Sequence, residues 1–169
     1  WNRAQEYLAE AVRKSPSDAS LRDRWATALF LSDRKSTAYE QFDIAFHQAP
    51  DLNPPEVSMA AVAASQGEYE TAENWYAKAA KAHPQHAATH LEWSATLMLQ
   101  DRAEDAQEHI KRAQELGLST PQVWMYEGLI ARQLQDSRTA ERAFRRVLEK
   151  YPNNREATYH LIRALDDSN

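Results

Sequence analysis

The chain has 169 residues, of which 43% are hydrophobic and 27% charged, values that are typical of a folded domain and argue against disorder. Its net charge of −5 argues against nucleic acid or an anionic membrane as the main partner. The absence of cysteine excludes disulfides, thiol catalysis and cysteine-based zinc sites, and no apolar run reaches the roughly 18 residues of a membrane-spanning helix.

Apolar residues recur at helical spacing along the whole chain, and no stretch alternates usefully with period two. Asn53, followed by Pro54 and Pro55, is predicted to cap a helix start, and Thr120-Pro121 is predicted to open another helix. Gly67 and Gly117 stand where helices should stop. In chain order, the pattern predicts helices at 2–14, 19–32, 36–48, 54–66, 69–82, 87–100, 103–116, 121–134, 137–150 and 155–166. The chain is therefore predicted to be all-α.

Residues of similar size recur every 34 positions, which indicates an internal repeat. Alanine occupies one column without exception, a large side chain occupies a second, and small residues occupy a third. These columns are Ala4, Ala38, Ala72, Ala106 and Ala140; Leu8, Phe42, Tyr76, Ile110 and Phe144; and Ala26, Ala60, Ser94 and Gly128. Alanines let two helix backbones approach each other, and the large residue fills the adjacent hole, so each period is predicted to be a packed helical hairpin.

This pattern resembles the tetratricopeptide repeat (TPR), a helix–turn–helix unit of 34 residues. The segment from Gly67 to Pro84 is similar to the second half of the family consensus, and Trp124 and Gly128 occupy its tryptophan and glycine positions. Other repeats depart from it, since Arg22, Glu56, His90 and Thr158 stand in the tryptophan position. The resemblance implies an all-α, right-handed superhelical solenoid of stacked hairpins.

The register predicts one continuous array over 1–169. It contains a half repeat at 1–18, full repeats at 19–52, 53–86, 87–120 and 121–154, and a half repeat at 155–169. Because both ends fall inside a repeat, we expect the chain to be part of a longer protein, from which any targeting segment would be missing. We expect a soluble protein; the sequence leaves its compartment open, with the cytoplasm favoured.

Catalytic and metal-binding patterns are absent from the sequence. His83, His86 and His90 cluster, but the segment lacks the glutamate of a zinc-protease helix, so a hydrated turn is the favoured interpretation. Three glycines in the whole chain are too few for a phosphate-binding loop. We therefore predict no metal, no cofactor and no enzymatic activity of the chain itself.

Four basic residues follow one another at steps of four in the helix predicted at 137–150: Arg138, Arg142, Arg146 and Lys150. Such a stripe could bind nucleic acid or an acidic partner. Glu104 and Glu108 occupy the positions of Arg138 and Arg142 one repeat earlier, and no aromatic residues interleave the stripe. Ion pairs between neighbouring repeats are therefore the favoured prediction.

The first helices of the central repeats carry little charge. The segments 54–66, 87–99 and 121–134 hold four charged residues, whereas the second helices 69–82, 103–116 and 137–150 hold 17. In proteins that this chain resembles, the first helices line a concave groove that receives a partner. The resemblance and register place the following residues in that groove or in the seams between its helices: Val57, Ser58, Ala61, Leu91, Glu92, Ala95, Met98, Met125, Tyr126, Leu129 and Arg132.

We predict a non-catalytic scaffold whose groove binds a largely apolar peptide or helix of a partner protein. A clamp for the terminal carboxylate of a chaperone tail is disfavoured, because Asp23, Ser58, Glu92 and Tyr126 stand where such domains carry basic or amide side chains. Three alternatives stay open: the groove residues only pack first helices together, the array is a spacer that associates with itself as a homo-oligomer, or it regulates a larger protein. Nucleic acid and membrane insertion are not expected.

Overall fold

A computed structural model describes residues 2–50 and 52–166 of the chain. Within these residues it forms ten α-helices and no β-strand. They are α1 (Asn2–Lys14), α2 (Ala19–Phe30), α3 (Lys35–Gln48), α4 (Pro55–Ser65), α5 (Tyr69–Ala82), α6 (Ala87–Met98), α7 (Ala103–Glu115), α8 (Pro121–Gln133), α9 (Ser137–Lys150) and α10 (Arg155–Asp166). Every predicted helix is present, with ends that differ by at most two residues, so the all-α prediction is confirmed.

The helices form two compact units, which we describe separately. Unit 1 takes in the described residues up to Pro84, and unit 2 takes in those from Gln85. In unit 1, α2 packs on α3 and α4 on α5 as hairpins, while α1 packs on α2 and α3 on α4. In unit 2, α6 packs on α7 and α8 on α9, while α7 packs on α8 and α9 on α10. Both units are therefore stacks of helical hairpins.

The columns of small and large residues form the cores of the hairpins. In unit 1, Ala38, Phe42, Ala72 and Tyr76 are buried, and in unit 2 Ala106, Ile110, Ala140 and Phe144 are buried. Gly128 of α8 lies so close to Phe144 of α9 that an added Cβ would be 2.6 Å from the phenyl ring. The packing role inferred from the 34-residue period is thus confirmed from α2 to α9, whereas on α1 Ala4 is exposed and Leu8 is half-buried.

The turn inside each hairpin repeats the same geometry. Asp33, Gly67, Asp101 and Gln135, spaced by 34 residues, all have a left-handed backbone with φ between 57° and 76°. After each of them, a backbone amide returns to a carbonyl five residues earlier, as Glu68 does to Ala63 at 3.0 Å. This is the Schellman arrangement, which satisfies carbonyls that the end of a helix leaves free. Gly117 also has a positive φ, 89°, so the stop signals read at Gly67 and Gly117 are confirmed.

The predicted cap at Asn53 is wrong by one residue. Pro54 occupies the N-cap position with ψ 149°, and Pro55 is the first helical residue. A residue that precedes a proline is pushed out of the helical region, so Pro54 cannot begin the helix. The cap at Thr120 is confirmed, because its side chain accepts a hydrogen bond from the Val123 amide at 3.4 Å.

Among the described helices, none is both long enough and apolar enough to cross a membrane. Trp1, Asp51 and residues 167–169 lie outside the described part of the chain, and so do the repeat boundaries predicted at both ends. The single array over 1–169 stays a prediction.

Candidate protein-binding surface

In unit 1, the predicted groove residues lie on α4, a helix that is buried along most of its length. Val57 is 0% exposed and Ser58 is also buried, whereas Ala61 is half-buried. Val57 and Ser58 thus contribute to packing and offer little surface. Of these three residues, Ala61 is the one that reaches the surface to an appreciable extent.

On α6 of unit 2, the predicted residues divide between core and surface. Leu91 is buried in a cluster that includes Leu97, Ile110 and Val123, and Met98 packs against the same cluster. Glu92 and Ala95 are half-buried. Leu91 is therefore a packing residue, while Glu92 and Ala95 remain available to a partner.

On α8, the structure brings Met125, Tyr126 and Leu129 together. They line an open surface cavity of about 330 Å³. Its other walls come from α8, α9, the turn that follows α9 and the start of α10, and are formed by Pro121, Gln122, Val147, Tyr151, Asn154 and Glu156. Met125 and Leu129 also pack against the buried cluster around Phe144 and Ala164, so the cavity floor is tied to the core. We call this feature the α8–α10 cavity.

Sequence reasoning missed the other six residues that line this cavity, among them Tyr151 and Glu156. Tyr151, which is half exposed, follows α9, and the exposed Glu156 lies in the first turn of α10. Neither residue belongs to the first helices of the central repeats, where the low content of charged residues indicated a binding surface. The available clue was Tyr151 beside Pro152, a large exposed aromatic residue in a turn between two repeats.

One carboxylate, Glu156, lines the cavity, and a second, Glu92 of α6, lies near enough to Tyr126 to act on it electrostatically. Burial raises the pKa of Tyr126, and the negative charges of Glu92 and Glu156 raise it further. Burial also raises the pKa of Glu92. Because desolvation disfavours the charged form of a carboxyl group, an approaching cation would stabilise Glu92. The surface around Tyr126 is thus apolar with a negative margin.

Arg132, the last predicted site residue, has a different environment. It is half-buried, and its Nη1 lies 3.1 Å from Nδ1 of His160. The His160 ring stacks on Phe144 with centroids 5.5 Å apart. Burial lowers the pKa of His160, Arg132 lowers it further, and Glu156 acts in the opposite direction. Arg132 therefore does not line the α8–α10 cavity but links α8 to α10.

The histidines that suggested a metal each have another partner. In unit 1, Nε2 of His83 lies 3.7 Å from Oε2 of Glu56. In unit 2, Nδ1 of His86 is 2.9 Å from Oγ1 of Thr89, and the Nδ1 atoms of His90 and His109 are 3.0 Å apart. Across residues 2–50 and 52–166, no group of three metal-ligating side chains is found.

The predicted ion pairs between the acids of α7 and the basic stripe of α9 are wrong. In the part of unit 2 that the structure describes, Glu104 and Glu108 are exposed and neither pairs with the stripe. The reason is that α8 packs between α7 and α9, which do not contact each other. Arg146 instead lies over the Trp124 ring, 4.5 Å from its centroid.

The fold and the stacked hairpins define an all-α helical-repeat protein. A model of the tetratricopeptide repeat family matches residues 127–169. No curated protein matches the chain by sequence. Solved structures, however, match it over most of its length, and they are TPR proteins. The predicted resemblance is therefore confirmed: the chain has the tetratricopeptide-repeat fold, and its C-terminal quarter matches the family in sequence.

Three solved structures illustrate the similarity. The first TPR of Spaghetti (RPAP3), bound to the HSP90 peptide SRMEEVD, has a TM-score of 0.62 and 24% identity, and the match covers 66% of this chain and 88% of that chain. PilW, a type IV pilus biogenesis factor, has a TM-score of 0.67 and 21% identity over 95% of this chain and 74% of its own. TTC0263, a TPR protein of Thermus thermophilus, has a TM-score of 0.66 and 17% identity over 95% of this chain and 88% of its own.

Proposed function

We propose that the chain is a non-catalytic scaffold that binds a segment of a partner protein in the α8–α10 cavity of unit 2. The observation that carries this proposal is the cavity itself, in which Met125, Tyr126 and Leu129 meet beside the exposed ring of Tyr151. Methionine and aromatic side chains form adaptable surfaces for apolar peptides. Protein binding is also the use suggested by the RPAP3 structure, whose TPR holds a peptide.

The partner segment is proposed to be largely apolar and to carry a basic side chain. An apolar anchor would cover Met125 and Leu129, and a lysine or arginine beside it would face Glu92 and Glu156. Such a cation would favour the charged form of Glu92 by electrostatic attraction and so oppose the burial that raises its pKa. An acidic tail such as SRMEEVD does not suit this surface, because it would bring carboxylates next to these two glutamates.

The remaining predicted residues have secondary parts in this proposal. Ala95 of unit 2 is half-buried and extends the contact, whereas Ala61 is half-buried in unit 1 and stays a separate prediction. Val57, Ser58 and Leu91 support the surface from within. Arg132 holds His160 in place and so fixes α10 beside α8.

The proposal can be tested by selecting peptides from a phage-displayed random library on the purified chain. We expect the enriched peptides to share an aliphatic or aromatic anchor next to lysine or arginine. Their affinity should fall at least about tenfold in the charge-reversal variant Glu156→Arg, because rim charges steer and orient a charged ligand. Glu149→Arg, a charge reversal at another exposed glutamate on α9 outside the cavity, is the matched control and should leave the affinity unchanged.

Three results would overturn the proposal. They are the enrichment of no peptide at all, the enrichment of acidic peptides, and an equal effect of Glu156→Arg and Glu149→Arg on the affinity of the selected peptides. The variant Gln122→Trp adds a steric test, since Gln122 is exposed at the cavity wall and an indole there would fill the space. Selected peptides that bind this variant as well as the parent chain would lie elsewhere on the molecule.

A further inference from the structure

A cavity of about 290 Å³ lies between α7 and α9 of unit 2, and we call it the α7–α9 cavity. Side chains of α7, of α8, and of α9 with the residue before it form its walls. It shares no lining residue with the α8–α10 cavity, because the two cavities use different faces of α8. Within unit 2, α7 packs on α6 and α8, and α9 packs on α8 and α10. The α7–α9 cavity therefore lies among helices that are packed on both sides.

The floor of this cavity is apolar. It is formed by Ile110 of α7 and by Ile130 and Ala131 of α8, each of which is at most 2% exposed. These side chains belong to the packed interior of unit 2, so the floor is held in place by the core. A ligand with an aliphatic part would gain free energy by covering this floor.

Four charged side chains, two of each sign, line the same cavity. They are Lys111, Arg142, Glu127 and Asp136. No ion pair joins any two of them in the part of unit 2 that the structure describes. Side chains of opposite charge that line one small cavity without pairing are able to bind a ligand that carries charges of its own.

The two cations of the cavity have neutral partners. Nζ of Lys111 donates to Oε1 of Gln107 at 3.3 Å, and Nη2 of Arg142 donates to Oγ1 of Thr139 at 3.3 Å. Ammonium and guanidinium groups carry several donors each. Lys111 and Arg142 thus offer donors to a carboxylate from two different helices.

The two carboxylates of the cavity also keep acceptor capacity. Oε2 of Glu127 accepts from Nε2 of Gln114 at 3.0 Å, and Oδ1 of Asp136 accepts from the Thr139 amide at 3.1 Å. The hydrogen bonds from Thr139 lower the pKa of Asp136, so this group is charged at neutral pH. Since a carboxylate has about four acceptor positions, both groups are able to accept from an ammonium group as well.

We propose that the α7–α9 cavity binds a free α-amino acid with an aliphatic side chain. The carboxylate of the ligand faces Lys111 and Arg142, its ammonium group faces Glu127 and Asp136, and its side chain covers the apolar floor. A ligand with a single kind of charge does not suit this lining, because it would meet two side chains of its own sign.

This ligand differs from the partner segment proposed for the α8–α10 cavity. The interior of a polypeptide carries neither the free ammonium group nor the free carboxylate that the α7–α9 cavity matches. The two proposals use different residues and different ligands, so either can fail without the other.

The test is isothermal titration calorimetry of the 169-residue chain with L-leucine at neutral pH. We expect saturable binding with a dissociation constant below about 1 mM. Acetylleucine lacks the ammonium group, leucinamide lacks the carboxylate, and glycine lacks the aliphatic side chain. Each of these three compounds should bind at least about tenfold more weakly, because one set of contacts is lost in each case.

Two variants of α9 locate the binding site. Arg142→Gln should lower the affinity for leucine at least about tenfold, because a cation that faces the carboxylate is removed. Arg138→Gln, at another exposed arginine of α9 that does not line the cavity, is the matched control and should leave the affinity unchanged. Circular dichroism will establish that both variants keep the helicity of the parent chain. Lys111→Gln repeats the test on α7 should Arg142→Gln lose helicity.

Three results would overturn the proposal. The first is a dissociation constant for leucine above about 1 mM, including no binding at all. The second is an affinity for acetylleucine or leucinamide equal to that for leucine, since the cavity would then recognise a single charge. The third is an equal effect of Arg142→Gln and Arg138→Gln, since leucine would then bind elsewhere.

Discussion

The contact between Gly128 and Phe144 predicts that the effect of Gly128→Ala on stability depends on the residue at position 144. The substitution should destabilise the chain beside phenylalanine and stabilise it beside a smaller side chain. A Cβ at position 128 would lie between 2.6 and 2.9 Å from three carbons of the Phe144 ring. The ring is fully buried and stacks on His160, so it has little room to move away. Gly128→Ala therefore forces α8 and α9 apart or pushes the ring out of place.

The magnitude follows from two opposing effects. Replacing glycine by alanine inside a helix normally stabilises it by about 1 kcal/mol. Forcing an extra carbon into a packed core costs about 1–3 kcal/mol. Gly128→Ala is thus expected to lower the free energy of unfolding by up to about 2 kcal/mol. In a Phe144→Val background, which lacks all three of these carbons, the clash disappears, and the same substitution should raise stability by about 1 kcal/mol.

The assay is a double-mutant cycle of four chains unfolded in guanidinium chloride. Far-UV circular dichroism follows the helices, and tryptophan fluorescence, to which Trp124 on α8 and the other four tryptophans contribute, gives a second probe of unfolding. The two backgrounds should give effects of opposite sign, with a coupling energy of roughly 1–3 kcal/mol. If Gly128→Ala stabilises the parent chain, or has the same effect in both backgrounds, the steric explanation is refuted.

Three further predictions concern unit 2. Gln135→Gly should raise the free energy of unfolding by about 1 kcal/mol, because Gln135 has φ 60° and glycine adopts that backbone without strain. Gly67→Ala at the equivalent turn of unit 1 should lower the free energy of unfolding. Equal effects of the two substitutions would contradict this account. Glu92→Gln should stabilise the chain at neutral pH, since burial raises the pKa of Glu92 and so disfavours its charge. The same variant should bind the selected basic peptides more weakly. A loss of stability, measured by denaturant titration, would refute this prediction. Burial lowers the pKa values of His90 and His160, so the unfolded chain takes up protons first as the pH falls through about 6.5, and stability should fall with it. Unfolding midpoints measured between neutral pH and about pH 5 test this, and His90→Gln should flatten the curve; an unchanged slope would contradict it.

The helices and hairpins could be predicted from sequence because local rules and the 34-residue period agree. Proline, threonine and glycine at the right positions define ends, and columns such as Ala72 and Tyr76 define the buried faces. The contacts made by the residues that replace tryptophan in other repeats could not be predicted in this way. Arg22 donates to the side chain of Gln41 at 2.8 Å and to the Pro16 carbonyl at 2.9 Å, a network that depends on which polar groups the fold brings near.

Glu56 illustrates the same limit. Its Oε1 accepts a hydrogen bond from the Tyr39 hydroxyl at 2.7 Å, and burial together with this bond raises the pKa of Tyr39 to about 12. Sequence alone indicated only that a tryptophan was replaced. The structure shows a partly buried polar contact between α3 and α4 in its place.

The candidate site was predicted in part. The low charge of the first helices and the repeat register predicted Met125, Tyr126 and Leu129, because all three residues lie on one helix, α8. Tyr151 and Glu156 come from a turn and from the next helix, so their contribution depends on how α8, α9 and α10 pack. The wrong ion pairs have a related cause: the 34-residue spacing gives equivalent positions, but it does not give direct contact between equivalent helices.

The repeated left-handed residue in the hairpin turns has a practical consequence for engineering. At positions 33, 67, 101 and 135 the turn has one length and one hydrogen-bond pattern, so an inserted residue there would rotate the second helix and misplace its alanine column. The connection from α7 to α8 is different in shape, and Ser119 within it is exposed. A fluorophore-bearing loop or an affinity tag should therefore be tolerated after Ser119 and rejected after Gln135.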